Sequence, residues 1–279
     1  MQLTVLLDNN TLIDRYFLGE PGVSYWIQEG DTRVLFDVGY SDAFIVNARK
    51  MDIDLLQSDY IVLSHGHLDH TWGLDPLIKL YTEAAIESIP AKRPTLIAHP
   101  DAFFTKSIEG CREIGCTIAQ EKLETQFQLN LPKTPFWITE KLVFLGEIER
   151  TNAFENREAL GVVHGAEGAR PDFLMDDTAL AYTGEDGLVI ITGCSHSGIC
   201  NIIEYARKIC RRDKVADVIG GFHLLQPSQT QLDHTLTYFA NLQPQQLHAC
   251  HCVDLDSKIA LSRAANLKEV GVGLSVQYK

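Results

Sequence analysis

No apolar run in the 279 residues approaches the roughly 20 that a membrane-spanning helix needs, so no membrane span is expected. The N-terminus, MQLTVLLDNN, has no basic start and meets Asp8 too early for a secretory signal. The chain is therefore expected to begin at Met1 and to work in the cytoplasm. No CxxC pair occurs, which weighs against a zinc ribbon or a thioredoxin-type site. The seven cysteines (Cys111, Cys116, Cys194, Cys200, Cys210, Cys250, Cys252) are odd in number and come without an export signal. A disulfide framework is not expected, and most should be reduced, half-buried apolar residues.

Positive charge is scarce as well. Against 37 Asp and Glu stand 24 Lys and Arg, a formal net charge of -13. Such a surface does not gather nucleic acid, so neither nucleic-acid nor membrane partners are expected. An anionic small substrate stays compatible, because divalent ions would reverse the field inside one cleft. The only compact basic cluster, Lys208, Arg211, Arg212 and Lys214, reads as the end of a helix, where cations oppose the dipole. Low-complexity segments and linker-like charge runs are also missing. The length suits one large domain or two small ones, and the chain is read as one domain over residues 1–279.

What is present is a succession of short strands, then strands alternating with helices. Apolar runs at Leu3–Leu7, Val23–Ile27 and Arg33–Asp37 read as strands, the last two joined by a turn at Glu29-Gly30-Asp31. Ser41 opens a helix through Phe44, Ile45 and Ala48. Tyr60–Leu63 is a strand buried on both faces. A helix over Leu77–Ile89 and a strand over Thr95–Ala98 follow. Residues 102–169 are the least legible, with short strands at Phe136–Ile138 and Leu142–Leu145; a substrate-covering insertion would sit there. A hairpin pairs Thr178–Tyr182 with Leu188–Ile191. Helix Ile199–Ile209, strand Ala216–Ile219, helix Leu232–Leu242, strand Leu247–Val253 and a helix from Ser257 complete the order. The repeated unit is an apolar strand, an abrupt turn carrying His, then a helix, and open α/β sheets assemble their sites at such strand ends.

One of those turns is Ser64-His65-Gly66-His67-Leu68-Asp69-His70. His65 and His67, two apart on extended chain, project to one side. Asp69 and His70 then start a helix whose N-terminal dipole favours a carboxylate. Imidazole and carboxylate are ligands that Zn²⁺, Fe and Mn²⁺ accept. With only ten histidines in the chain, three of them at HxHxDH spacing is not a chance arrangement.

This string resembles the HxHxDH signature of the metallo-β-lactamase superfamily. Leu35-Phe36-Asp37-Val38-Gly39 is similar to the strand upstream of that motif, where the resemblance gives Asp37 the task of orienting the metal loop. Ile190-Ile191-Thr192-Gly193-Cys194 is similar to the hairpin strand that usually ends in Gly-Asp. SHGHLDHTWGL, TGCSHSGI, GGFHL and a late His-Cys pair, in that order, resemble the branch that includes dihydropterin-ribofuranosylaminobenzene-phosphate synthase-like proteins, most of whose members are named as metal-dependent hydrolases. The resemblance covers most of the chain and implies an α/β fold, a four-layer αββα sandwich. It also implies one or two divalent transition metal ions, zinc foremost, with iron or manganese as alternatives.

Two departures stand out. The usual third histidine is missing at Met175-Asp176-Asp177, and Cys194 stands where the bridging Asp would be. His196 is expected to take over, joining His65 and His67 on one metal, while His251 joins Asp69 and His70 on the other. Asp176 or Asp177 would be the substitute for His196. Cys194 is a thiolate ligand or packing under the site. Strand alternation sets His251 against His248, Cys250 and Cys252, and His248 reads as an ordinary half-exposed residue. His223, behind two glycines, is a ligand, a general acid or an anion-holding side chain. His99, His164 and His234 carry no pattern. A Ser195-His196 hydrolase is disfavoured by the missing G-x-S-x-G elbow.

The activity expected is hydrolysis of a small polar substrate, a phosphoester foremost, with Asp69 and His223 as catalytic residues. Transfer in a pterin-joining synthase is the alternative, and a binding protein without catalysis the third reading.

Overall fold

The computed structural model describes residues 1–165 and 168–279. Strands β1 (Gln2–Leu7), β2 (Ser24–Glu29) and β3 (Thr32–Phe36) form an antiparallel meander. Helix α1 (Ala43–Lys50) then leads to β4 (Tyr60–Val62), which lies parallel to β3. After α2 (Leu68–Thr71) and α3 (Leu74–Ile86) comes β5 (Thr95–Ile97). Next are β6 (Thr105–Ser107), α4 (Gln120–Gln126), β7 (Gln128–Asn130), β8 (Phe136–Trp137) and β9 (Leu142–Phe144). Strands β10 (Val162–Gly165) and β11 (Gly168–Pro171) precede the hairpin β12 (Ala179–Thr183) and β13 (Leu188–Thr192). Helix α5 (Ile199–Cys210), β14 (Val215–Gly221), α6 (Gln229–Leu242), β15 (Gln246–Cys250), α7 (Leu255–Ala264) and β16 (Ser275–Gln277) close the chain.

The strands form a seven-stranded sheet, order β16-β1-β2-β3-β4-β5-β7, and a six-stranded sheet, order β15-β14-β13-β12-β9-β8. Side-chain alternation sends each strand's residues into two different cores. In β3, Val34 and Phe36 face the core between the sheets while Leu35 faces α1 and α3. In β13, Val189 and Ile191 face the same central core, and Ile190 packs under α5. Three apolar cores thus lie between four layers: helix, sheet, sheet, helix. This is the αββα sandwich, and nearly unbroken apolar strands such as β13 are its requirement, because both faces are covered.

Residues 105–107, 162–165 and 168–171 build a separate three-stranded sheet, order β11-β10-β6. Its strands are short and its outer face polar, which is why periodicity gave no warning of it. No helix among the described residues is long and apolar enough to cross a membrane.

Candidate metal centre

The site collects at the C-terminal ends of parallel strands. The loop after β4 brings His65, His67, Asp69 and His70. The loop after β13 brings Cys194 and His196, the end of β14 His223, and the end of β15 His251. Four of the turning residues are left-handed without being glycine: Asp37 (φ 53°), Ser195 (φ 62°), His223 (φ 51°) and His251 (φ 53°). Each such residue costs on the order of 1–3 kcal/mol and persists only where its surroundings over-determine it.

Those surroundings are specific. Asp37 is fully buried and accepts hydrogen bonds from Ser64 N (2.7 Å), Ser64 Oγ (2.6 Å) and His70 Nδ1 (2.7 Å). It therefore orients the metal loop and leaves His70 Nε2 facing inward, the arrangement expected of a carboxylate behind a ligating histidine. Gly66 has no room for a side chain, since a Cβ there would lie 2.3 Å from Ala102 O.

Two donor groups result. Asp69 Oδ2 lies 3.6 Å from His70 Nε2 and 3.3 Å from His251 Nε2. Cys194 Sγ lies 3.3 Å from that same His70 nitrogen and 2.9 Å from that of His251. These four residues form one group; His65, Cys194 and His196 form the other, with donor atoms within 4.8 Å of one another in each. His67 Nδ1 is 3.1 Å from His65 Nε2, and its ring meets that of His196 edge-on at 4.8 Å. A tetrahedral ion with nitrogen at ~2.0–2.1 Å and sulfur at ~2.3 Å holds its donors roughly 3.3–3.6 Å apart. His67 Nε2 and His196 Nε2 are buried with no hydrogen-bond partner among the described residues, and buried polar atoms rarely go unpaired without a functional reason. The donor set fits a metal.

Protonation of His65, His67 and His196 agrees with that fit, since a ligating imidazole is neutral. Burial, aided by the neighbouring imidazoles, holds His65 and His196 well below the usual histidine range, so both stay neutral. Burial lowers His67 to about 4. At His70 burial is outweighed by the Asp69 and Asp37 carboxylates, which raise it to about 9. For Asp69 burial is opposed and overcome by His70 and His251, so it remains ionised.

The acidic pair at residues 176 and 177 lies outside both donor groups. Asp176 Oδ2 accepts from Gly66 N at 2.8 Å, and its Oδ1 pairs with Lys106 Nζ at 2.8 Å. Lys106 is itself buried and also reaches Asp172 at 3.0 Å. Asp177 accepts from Ser197 N at 2.8 Å, beside His196. One carboxylate thus steadies the HxH turn and the other the His196 turn. Sequence reasoning missed Lys106, whose partners lie 66 and 70 residues away. It also missed Glu155, which accepts from Cys200 N and Asn201 N (3.0 Å each) and caps α5 from a distant loop.

Strand β15 ends at Cys250, so alternation no longer applies to His251. The left-handed turn swings its imidazole to the metal side, and Asp8 Oδ1 anchors its N–H at 2.9 Å. Cys250 contacts Tyr25 OH at 3.3 Å, while Cys252 lies beside His223 N at 3.2 Å. His248 is buried rather than half-exposed, because Asp217 (2.9 Å) and, behind it, Tyr278 satisfy it. His99 caps a short turn and pairs with Glu147 at 2.9 Å; His164 and His234 are exposed and away from the centre.

His223 packs 4.3 Å from the His196 ring, centroid to centroid, and lines a cavity of about 390 Å³. Asn156, Arg157, Ser195, Ser228 and Gln231 line it too. Burial lowers the His223 pKa, but the Cys252 sulfur beside it outweighs this and raises it. The two glycines before it let β14 press on the end of β13: a Cβ on Gly220 would meet Thr192 O at 2.2 Å.

Comparison with known proteins agrees with the architecture. The Metallo-beta-lactamase superfamily matches residues 18–207, and the chain belongs to that superfamily. An uncharacterized protein of Methanocaldococcus jannaschii is 31% identical over 272 residues, 97% of this chain and 98% of that protein. The 7,8-dihydropterin-6-methyl-4-(beta-D-ribofuranosyl)-aminobenzene-5'-phosphate synthase of the same organism is 29% identical over 250 residues, 85% of this chain and 82% of its own. The crystal structure of Tm1679, described as a metal-dependent hydrolase of the beta-lactamase superfamily, superposes with a TM-score of 0.82 at 26% identity, covering 99% of this chain and 98% of that one.

Proposed function

We propose that this member of the metallo-β-lactamase superfamily is a metal-dependent hydrolase of a small polar substrate, with phosphoesters the leading class. His65, His67 and His196 would hold one ion, and Asp69, His70 and His251 the other, zinc being the first choice for such nitrogen and oxygen donors. Ions bound there would lower the pKa of water towards neutrality and polarise the electrophile. The chain's own residues supply the rest. Asp69, held ionised, is placed to accept a proton as well as to ligate. His223, whose proton is held more firmly than an ordinary histidine's, is placed to donate one to a leaving oxygen or to a phosphate. Arg157, on the cavity wall, supplies the one full positive charge of that lining.

The observation that carries this reading is a polar cavity lined by His196, a member of one donor group, and by the neighbouring His223. It is tested with the metal-loaded chain on phosphomonoesters, phosphodiesters and lactams. Phosphoester turnover should vanish on chelation, return with Zn²⁺, and fall by about 10²–10⁴-fold in His223→Ala, the range of a general acid's contribution. A fully metallated protein that turns over none of these would overturn it.

The similarity to a named synthase favours a second reading, in which the same centre holds a pyrophosphate leaving group while an amino-aryl partner attacks. The two separate in one assay. Pyrophosphate release from a dihydropterin pyrophosphate that requires the aminobenzene partner means transfer; release without it means hydrolysis.

A further inference from the structure

The two donor groups are not independent: Cys194 belongs to both. We infer that the Cys194 sulfur is a thiolate ligand shared by the two metal ions, so that this centre is bridged through sulfur and selects thiophilic ions. The inference rests on the metal-dependent reading above and adds a ligand to it.

Three observations carry it. First, Sγ is 3.3 Å from His70 Nε2, the spacing of neighbouring donors on one ion, and closer still, 2.9 Å, to His251 Nε2. Second, the same sulfur lies within 4.8 Å of the donor atoms of His65 and His196, on the other side of the centre. No other residue is common to both groups. Third, the sulfur is immobilised. Cys194 is 5 % exposed and lies two residues past the end of β13, with Gly193 between them pressed against Ser64 so closely that a Cβ would lie 2.1 Å from its Oγ. A thiol packed under the site for bulk alone would face carbon; this one faces two imidazole nitrogens and a carboxylate group. Soft thiolate donors favour zinc, cobalt and iron over magnesium, calcium and manganese. A shared sulfur would therefore make both positions, and not one alone, discriminate against hard ions.

The test is a Co²⁺ titration of the metal-stripped full-length chain, followed by visible and near-ultraviolet absorption. A shared thiolate predicts sulfur-to-cobalt charge-transfer absorption that grows through both the first and the second equivalent. Cys194→Ser should lose that absorption while keeping the weaker ligand-field bands of cobalt held by imidazole and carboxylate, and Cys252→Ser should retain it. The wild-type titration shows whether sulfur reaches one ion or both, and the Cys252→Ser titration assigns that sulfur to Cys194 even where Cys194→Ser fails to fold. Charge-transfer absorption that saturates at one equivalent would make Cys194 a ligand of one ion only and overturn the bridge. Ligand-field bands with no charge-transfer absorption would remove Cys194 from the centre while leaving the metal reading standing. No cobalt binding at all would overturn both.

Discussion

At the scale of residues, the centre divides into side chains that face the donor groups and side chains that hold them. His196 illustrates the first. In the proposed centre it takes the place of a histidine missing at residues 175–177, and its ring stands edge-on to those of His65 and His67 at 4.8 Å from each. His196→Ala should weaken the ion at His65 and His67 far more than the one at Asp69, His70 and His251, as read by stepwise competition with a chromophoric chelator. Equal weakening of both ions would contradict the assignment. Lys106 illustrates the second kind. Replacing it with Met leaves Asp172 and Asp176 buried without a counter-charge, and breaking a buried pair in this way costs roughly 3–5 kcal/mol. Urea unfolding of the metal-free Lys106→Met protein should show a loss of that order; a loss near zero would mean that Lys106 is not a strut of the site. The HxHxDH string stands out in the sequence because its members are near neighbours along the chain, whereas Asp37 and His196 are picked out by the family resemblance. Lys106, Asp176 and Glu155 do not stand out, because each acts on a partner dozens of residues away and a lone charged residue carries no pattern.

At the scale of elements, the strand ends matter more than the strands. Most strands and helices were legible from apolar runs and turn residues, with boundaries shifted by a few positions: the helix expected from Leu77 begins at Leu74, and the strand expected to Val253 stops at Cys250. That stop takes His251 out of the strand's alternation, and its left-handed backbone brings it beside Asp69 and His70. Residues 102–169 were opaque because their three-stranded sheet is assembled from segments more than 50 residues apart, as in the pairing of His164 with Thr105. The turn at Gly66 gives the sharpest test at this scale. A Cβ there would press on the backbone of Ala102, which has no flexible side chain to yield. Gly66→Ala should therefore cost about 1–3 kcal/mol, the usual penalty of overpacking, and should displace His65 relative to His67. Thermal denaturation with and without zinc checks this: the variant should gain less from zinc than the wild type does, and an equal gain would show the turn to be more tolerant than its packing implies.

At the scale of the whole molecule, three apolar cores hold two sheets and two helical layers so that the ends of β4, β13, β14 and β15 converge on one place. The acidic surface, at -13 overall, sets what approaches that place. Generic duplex DNA should show no salt-sensitive binding, because a chain of net charge -13 has little excess cation with which to release its counterions; sub-micromolar binding at physiological salt would contradict this. The central claim is that His65, His67, Asp69, His70, His196 and His251 exist to hold metal, and elemental analysis of the purified protein tests it most directly. Wild-type protein should carry transition metal, up to two ions per chain. A variant combining His65→Ala and His67→Ala should lose the ion at His196 while keeping a wild-type circular dichroism spectrum. Wild-type protein free of transition metal after purification without chelators and unable to take up added Zn²⁺, or a double variant with full occupancy, would contradict the account.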